Sequence, residues 1–103
     1  MIKVSVLYPN TPDGHFDVEY YLTRHVPLVQ ERCGDALKRG EIEQGINGGE
    51  PGTKPPFRIS GHLFFESEEA MQGSLFRHMP ELLADIPNYT NIQPTVQISE
   101  VLL

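Results

Sequence analysis

His25 and Tyr21 stand at a spacing that could move a proton. Between Phe16 and Val29 the chain reads as a helix, with Asp17 as N-cap and Glu19 in the first turn, where negative charge meets the free N–H groups. Val18, Tyr21, Leu22, His25, Leu28 and Val29 fall on one apolar stripe. His25 therefore projects with Tyr21, one turn earlier, from the face that turns into the protein. An imidazole can take and give a proton near neutral pH, and a phenol beside it can orient the ring or donate to a developing oxyanion. The same placement also fits a core histidine with one satisfied hydrogen bond. Pro27 has no N–H for the Thr23 carbonyl, which predicts a kink beside His25.

The remaining candidates sit on other elements. His62 shares one strand face with Ser60 and Phe64, where either an acid/base role or a contact with a partner fits. Asp85 and Tyr89 lie in the loop before the last strand; a carboxylate there can hold a histidine tautomer, though turn formation is its commoner task. Tyr20 falls off the apolar stripe and reads first as packing with a satisfied hydroxyl. His78 suits a helix C-terminus and His15 an exposed turn. Cys33, the only cysteine, precedes Gly34 and reads as a small packed hydrophobe.

Several classes of chemistry have no support in the sequence. No pair of histidines has metal-ligand spacing, no Gly-x-Gly-x-x-Gly follows a strand, and no Gly-x-Ser-x-Gly elbow occurs. The expectation is a site without metal or cofactor; a lone axial haem histidine would leave no motif, so that alternative stays open. The net charge is −6 and the eight basic residues are scattered, which argues against nucleic acid or an anionic membrane. A single cysteine allows no internal disulfide, and neither a signal-like N-terminus nor a membrane-length apolar run is present, so the expected location is cytoplasmic.

The elements that must position these groups follow from periodicity. Ile2 to Tyr8 and Phe57 to Phe65 alternate as strands; Leu37 to Gly48 reads as a weaker edge strand anchored by Ile42 and Ile46; Thr95 to Leu102 is the last strand. Gly48 to Pro56 is a Gly/Pro loop. Ser67 caps a second helix whose stripe is Met71, Leu75, His78 or Met79, and Leu82, broken at Pro80 before a last turn from Glu81 to Asp85. The order β-α-β-β-α-β over 1–103 predicts one α+β domain, a ferredoxin-like four-stranded antiparallel sheet with both helices on one face. Ile2, Val4, Val6, Ile59, Leu63, Val96 and Ile98 then face the helices. Ser5, Leu7, Ser60, His62, Phe64, Gln97 and Ser99 face away, a mixed surface suited to a second sheet, which points to a homodimer.

The Tyr20-Tyr21-x-x-x-His25-x-Pro27 helix resembles the EthD (ethyl tert-butyl ether degradation) family. Strand 1–8, Gly61-His62-Leu63, the segment Asp85 to Thr90 and Val96 to Val101 share the resemblance. It implies a dimeric α+β barrel, two sheets back to back with a small pocket in each subunit, and carries the family's helix histidine onto His25. The broad family label is oxidoreductase, and related barrels include cofactor-free monooxygenases, isomerases and cyclases; fold is implied more firmly than reaction. The expected function is a cofactor-independent enzyme acting on a small apolar carbonyl or phenolic compound in catabolism. His25, Tyr21 and His62 would be catalytic, and Tyr20, Asp85, Tyr89 and Phe64 would contact the small organic ligand. The alternative is a non-catalytic dimer that binds or delivers a hydrophobic metabolite.

Overall fold

A computed structural model describes residues 1–103. The alternating runs form β1 (Ile2–Pro9), β2 (Arg39–Gln44), β3 (Phe57–Phe65) and β4 (Thr95–Glu100). They make one antiparallel sheet in the order β2-β3-β1-β4, as the ferredoxin-like reading requires. Val4 lies opposite Leu63 and Ile98, and Ser5 opposite His62 and Gln97. The two strand faces are therefore divided as the alternation predicts. β2 is shorter than the run from Leu37 to Gly48, and Ile46, expected as an anchor, is exposed beyond its end.

The first helix is built in three pieces. The Asp17 carboxylate accepts from the Tyr20 N–H at 3.1 Å and starts α1 (Val18–Tyr20). A π turn follows over Tyr21–His25, closed by the Val26 N–H donating to the Tyr21 carbonyl, and α2 (Val26–Cys33) continues to Gly34, whose φ of 55° ends the helix. The expected disturbance at Pro27 thus takes the form of a wider turn: the proline cannot return a hydrogen bond to Thr23, and an extra residue is looped out just before it. The turn keeps Tyr21 and His25 buried but swings Leu22 off the predicted stripe, leaving it 46% exposed.

Ser67 accepts from the Ala70 N–H and caps α3 (Glu68–Ser74); a 3-10 turn (Phe76–His78) leads into α4 (Met79–Asp85), with Pro80 in its first turn. All helices cover one sheet face and bury two clusters against it. Val4, Val29, Cys33, Phe65, Met71, Leu75 and Leu82 form the first; Tyr8, Tyr21, Ile59, Tyr89 and Ile92 form the second. Each buried aliphatic chain contributes about 1.5–3 kcal/mol. Along β3 the clusters meet at Gly61, which lies between Ile59 and Leu63 on the same face and supplies no side chain. The gap it leaves is where the candidate site forms. No helix is long and apolar enough to cross a membrane.

Candidate active site around His25

A cavity of about 230 Å³ opens between the first helix and the sheet, floored by Val6, Gly40, Gly61 and Leu63 and walled by Tyr21 and His25. Its lining is mostly aliphatic and aromatic. A Cβ on Gly61 would stand 2.9 Å from the Tyr21 hydroxyl, so glycine at this position lets the phenol reach over the strand. Tyr21 and His25 are only 4% and 7% exposed, and their rings stack at 5.6 Å and 15°. The Tyr89 ring packs on the same imidazole at 4.7 Å.

Asp85 fixes the tautomer of that imidazole. Its Oδ2 lies 2.9 Å from His25 Nδ1, while Oδ1 accepts from the Tyr20 hydroxyl at 2.8 Å and from the Asn88 amide at 2.9 Å. Burial raises the affinity of Asp85 for a proton, but the hydrogen bonds from Asn88, His25 and Tyr20 together outweigh it and hold the carboxyl below its ordinary range. An ionised carboxylate can only accept, so His25 Nδ1 carries a proton and donates it. In the neutral ring Nε2 then bears the lone pair. Neither Nε2 nor the Tyr21 hydroxyl makes a hydrogen bond within the protein, and neither is sealed from access. Burial, with the Tyr8 phenol adding to it, pushes the Tyr21 hydroxyl well above the usual phenol range, so Tyr21 is a donor at neutral pH.

The supporting loop is tied to the helix start. The Asp17 N–H donates to the Tyr89 carbonyl at 2.7 Å and the Thr90 hydroxyl to the His15 carbonyl at 2.6 Å. These bonds seat the 3-10 turn Ile86–Asn88 and bring Asp85 under His25. Arg32 grips Glu81 through two hydrogen bonds of 2.7 and 3.0 Å and joins α2 to α4 beside the site.

The other expected residues divide by face. Tyr20, Asp85 and Tyr89 belong to the shell behind His25; none of them lines the cavity. His62, whose sharing of a pocket with His25 the sequence left open, stands apart from it: strand alternation puts His62 on the open face of the sheet, opposite Ser5 and Glu41. There its Nε2 donates to Glu43 at 3.0 Å and its Nδ1 meets the Ser5 hydroxyl at 3.1 Å. Both nitrogens are engaged, in contrast to His25. Phe64 shares that face, under the Arg39 guanidinium at 4.2 Å from its ring centre, and is likewise remote from the cavity.

An EthD-like protein from Ralstonia eutropha JMP134 has a solved structure matching this one with a TM-score of 0.91, at 40% identity over 99% of this chain and 92% of that one. The chain belongs to the EthD family. An ethyl tert-butyl ether degradation (EthD) family protein from Bacillus halodurans C-125 shares 18% identity over 99% of each chain, with a TM-score of 0.70, and bears on the fold alone. No protein-family model matches the sequence, and no curated protein matches it.

Four residues of this EthD-family site escaped the sequence reading. Tyr8 continues the inward alternation Ile2, Val4, Val6 and lines the cavity; its hydroxyl meets that of Tyr89 at 2.7 Å. Gly40 and Gly61 clear the floor, and glycine inside a strand is the signal that marks such an opening. Asn88, three residues after Asp85, holds the carboxylate by the spacing of a local turn. No three His, Cys, Asp or Glu side chains cluster as a metal-binding group.

Proposed function

We propose that this EthD-family protein binds a small, largely apolar carbonyl or phenolic compound in the 230 Å³ cavity and that His25 acts on it as a base. The observation that carries this reading is the asymmetry of the imidazole: Nδ1 is committed to Asp85, and Nε2 is left without a partner beside an apolar chamber. Nε2 would take a proton from a carbon next to the carbonyl, or from the phenol. The C–H pair becomes the C=C bond as the carbonyl π pair moves onto oxygen to give an enolate, or the O–H pair stays on the phenol oxygen as a phenolate; Nε2 holds the proton, and the Tyr21 hydroxyl donates a hydrogen bond to that oxygen. Such an anion can isomerise, cyclise or meet dioxygen, which keeps the oxidoreductase and isomerase classes together under one first step. Tyr20, Asn88 and Asp85 are positioning residues; His62 and Phe64 fall outside this mechanism.

The reading extends to a homodimer working in catabolism in the cytoplasm. The mixed open face of the sheet, where Ser5, His62, Phe64, Gln97 and Ser99 lie together, supports a second copy as cover. Light scattering on the purified protein checks this; a monomer at micromolar concentration contradicts it.

The chemical step is tested by proton exchange. Phenolic and α-CH carbonyl compounds are screened for binding, and the bound ones are followed by NMR for deuterium uptake from D2O. His25→Ala is expected to slow exchange by about 10²–10⁴-fold while binding persists. Exchange that survives His25→Ala unchanged would overturn the base assignment. Binding of such compounds with no exchange even in the native protein would favour the carrier reading, which the mostly apolar lining also accommodates.

A further inference from the structure

His25 borders a second, smaller cavity. It measures about 60 Å³, lies on the β4 side of the ring between α4 and the sheet, and is lined by Val6, Leu63, Leu75, Leu82 and Val96 among others. Val6, His25 and Leu63 line both cavities, so the two chambers meet at the imidazole from opposite sides. The larger one reaches toward β2, past Leu37 and Ile42; the smaller one reaches the surface at Leu83 and Val96, which are 50% and 47% exposed.

Size and polarity together select the occupant. The volume is about a quarter of that of the main cavity and too small for an organic ring beside its neighbours. Water is a poor fit, because an ordered molecule needs two to four polar partners and His25 is the only polar side chain in the lining. Dry apolar cavities take small apolar guests instead. We propose that this chamber holds dioxygen next to His25, with its own access at the β4 edge, separate from the route of the organic ligand. This inference rests on the proposed function, in which a carbanion or phenolate forms at the same histidine, and it names the second reactant among the fates open to that anion.

The test uses dissolved dioxygen itself and needs no substrate. Methyl relaxation is measured by NMR on the native protein under nitrogen and under several bar of oxygen, whose paramagnetism broadens the protons it visits. The methyls of Leu75 and Leu82 are expected to show an enhancement several-fold greater than those of Ile59 and Ile92, which are equally buried but line neither cavity. Val96→Phe, at the half-exposed rim, is expected to abolish that excess without disturbing the main cavity. Equal enhancement at all four residues, or an excess that Val96→Phe leaves intact, would overturn the gas site. Such a failure leaves the proton-exchange result standing, whereas loss of the base assignment leaves the oxygen measurement unchanged.

Discussion

Replacing Asp85 by asparagine should invert the chemistry of His25. Asp85 faces two donors on Oδ1, the Tyr20 hydroxyl and the Asn88 amide, and one ring nitrogen on Oδ2. An asparagine has a single oxygen, which best serves the side with two donors; its NH2 then points at His25 Nδ1. The neutral ring must answer with the lone pair on Nδ1 and the proton on Nε2, so the base at the cavity wall is lost. A histidine in the wrong tautomer loses most of its acid/base contribution, so exchange should fall by about 10²–10⁴-fold. Stability should fall less. Hydrogen bonds to a charged group contribute about 1.5–3 kcal/mol and neutral ones about 1 kcal/mol, so the net loss is about 1–2 kcal/mol, or roughly 5–15 °C in Tm for a chain this small. Long-range ¹H–¹⁵N correlation spectra of the histidine rings read the tautomer directly, without a substrate. Retention of the Nδ1–H tautomer in Asp85→Asn would refute the argument that the carboxylate sets it.

Four further outcomes follow from the same geometry. Tyr21→Phe should leave Tm nearly unchanged, because the hydroxyl has no partner in the protein, yet slow exchange by about 10–10³-fold; a large loss of stability would show that the hydroxyl is structural. Gly61→Ala puts a methyl group 2.9 Å from that hydroxyl, and should cost about 1–3 kcal/mol by denaturant unfolding and weaken ligand binding at least tenfold. Tyr89→Phe leaves the buried Tyr8 hydroxyl unpaired at a cost of about 1–3 kcal/mol, part of which Tyr8→Phe in the same chain should recover, as a double-mutant cycle will read. The lowered Asp85 carboxyl contributes stability that is fully present above the ordinary carboxylate range and lost as pH falls through the folded value; as pH falls below the ordinary carboxylate range the native Tm should therefore fall more steeply than that of Asp85→Asn.

Much of this arrangement was legible in the sequence because it rests on local rules. Asp17 and Ser67 cap their helices as their types require, Gly34 ends α2, and the alternation of β1 and β3 sets which residues see the helices. The same alternation placed His62 and Phe64 with Ser5 on the open face, so their distance from His25 was implicit in it. Leu22 was misassigned because a π turn breaks the 3.6-residue period, and Pro27 signalled a disturbance there but not its form. The cavity was not readable: it depends on Gly61 falling under the Tyr21 hydroxyl and on Gly40 of the adjacent strand lining the same chamber, a tertiary coincidence that no single segment encodes. Asp85 was legible as a tautomer holder among commoner turn roles; the loop bonds of Asp17 and Thr90 decide between them.

The most direct test of the central claim is a crystal structure of the protein soaked with a phenolic aldehyde, which offers both a hydroxyl and a carbonyl. The account predicts the compound in the cavity under the first helix, with one oxygen within about 2.6–3.2 Å of His25 Nε2 and of the Tyr21 hydroxyl, and the Asp85–His25 bond retained. A cavity filled by the protein's own side chains, or a ligand seated elsewhere with His25 Nε2 bonded to backbone, would contradict it.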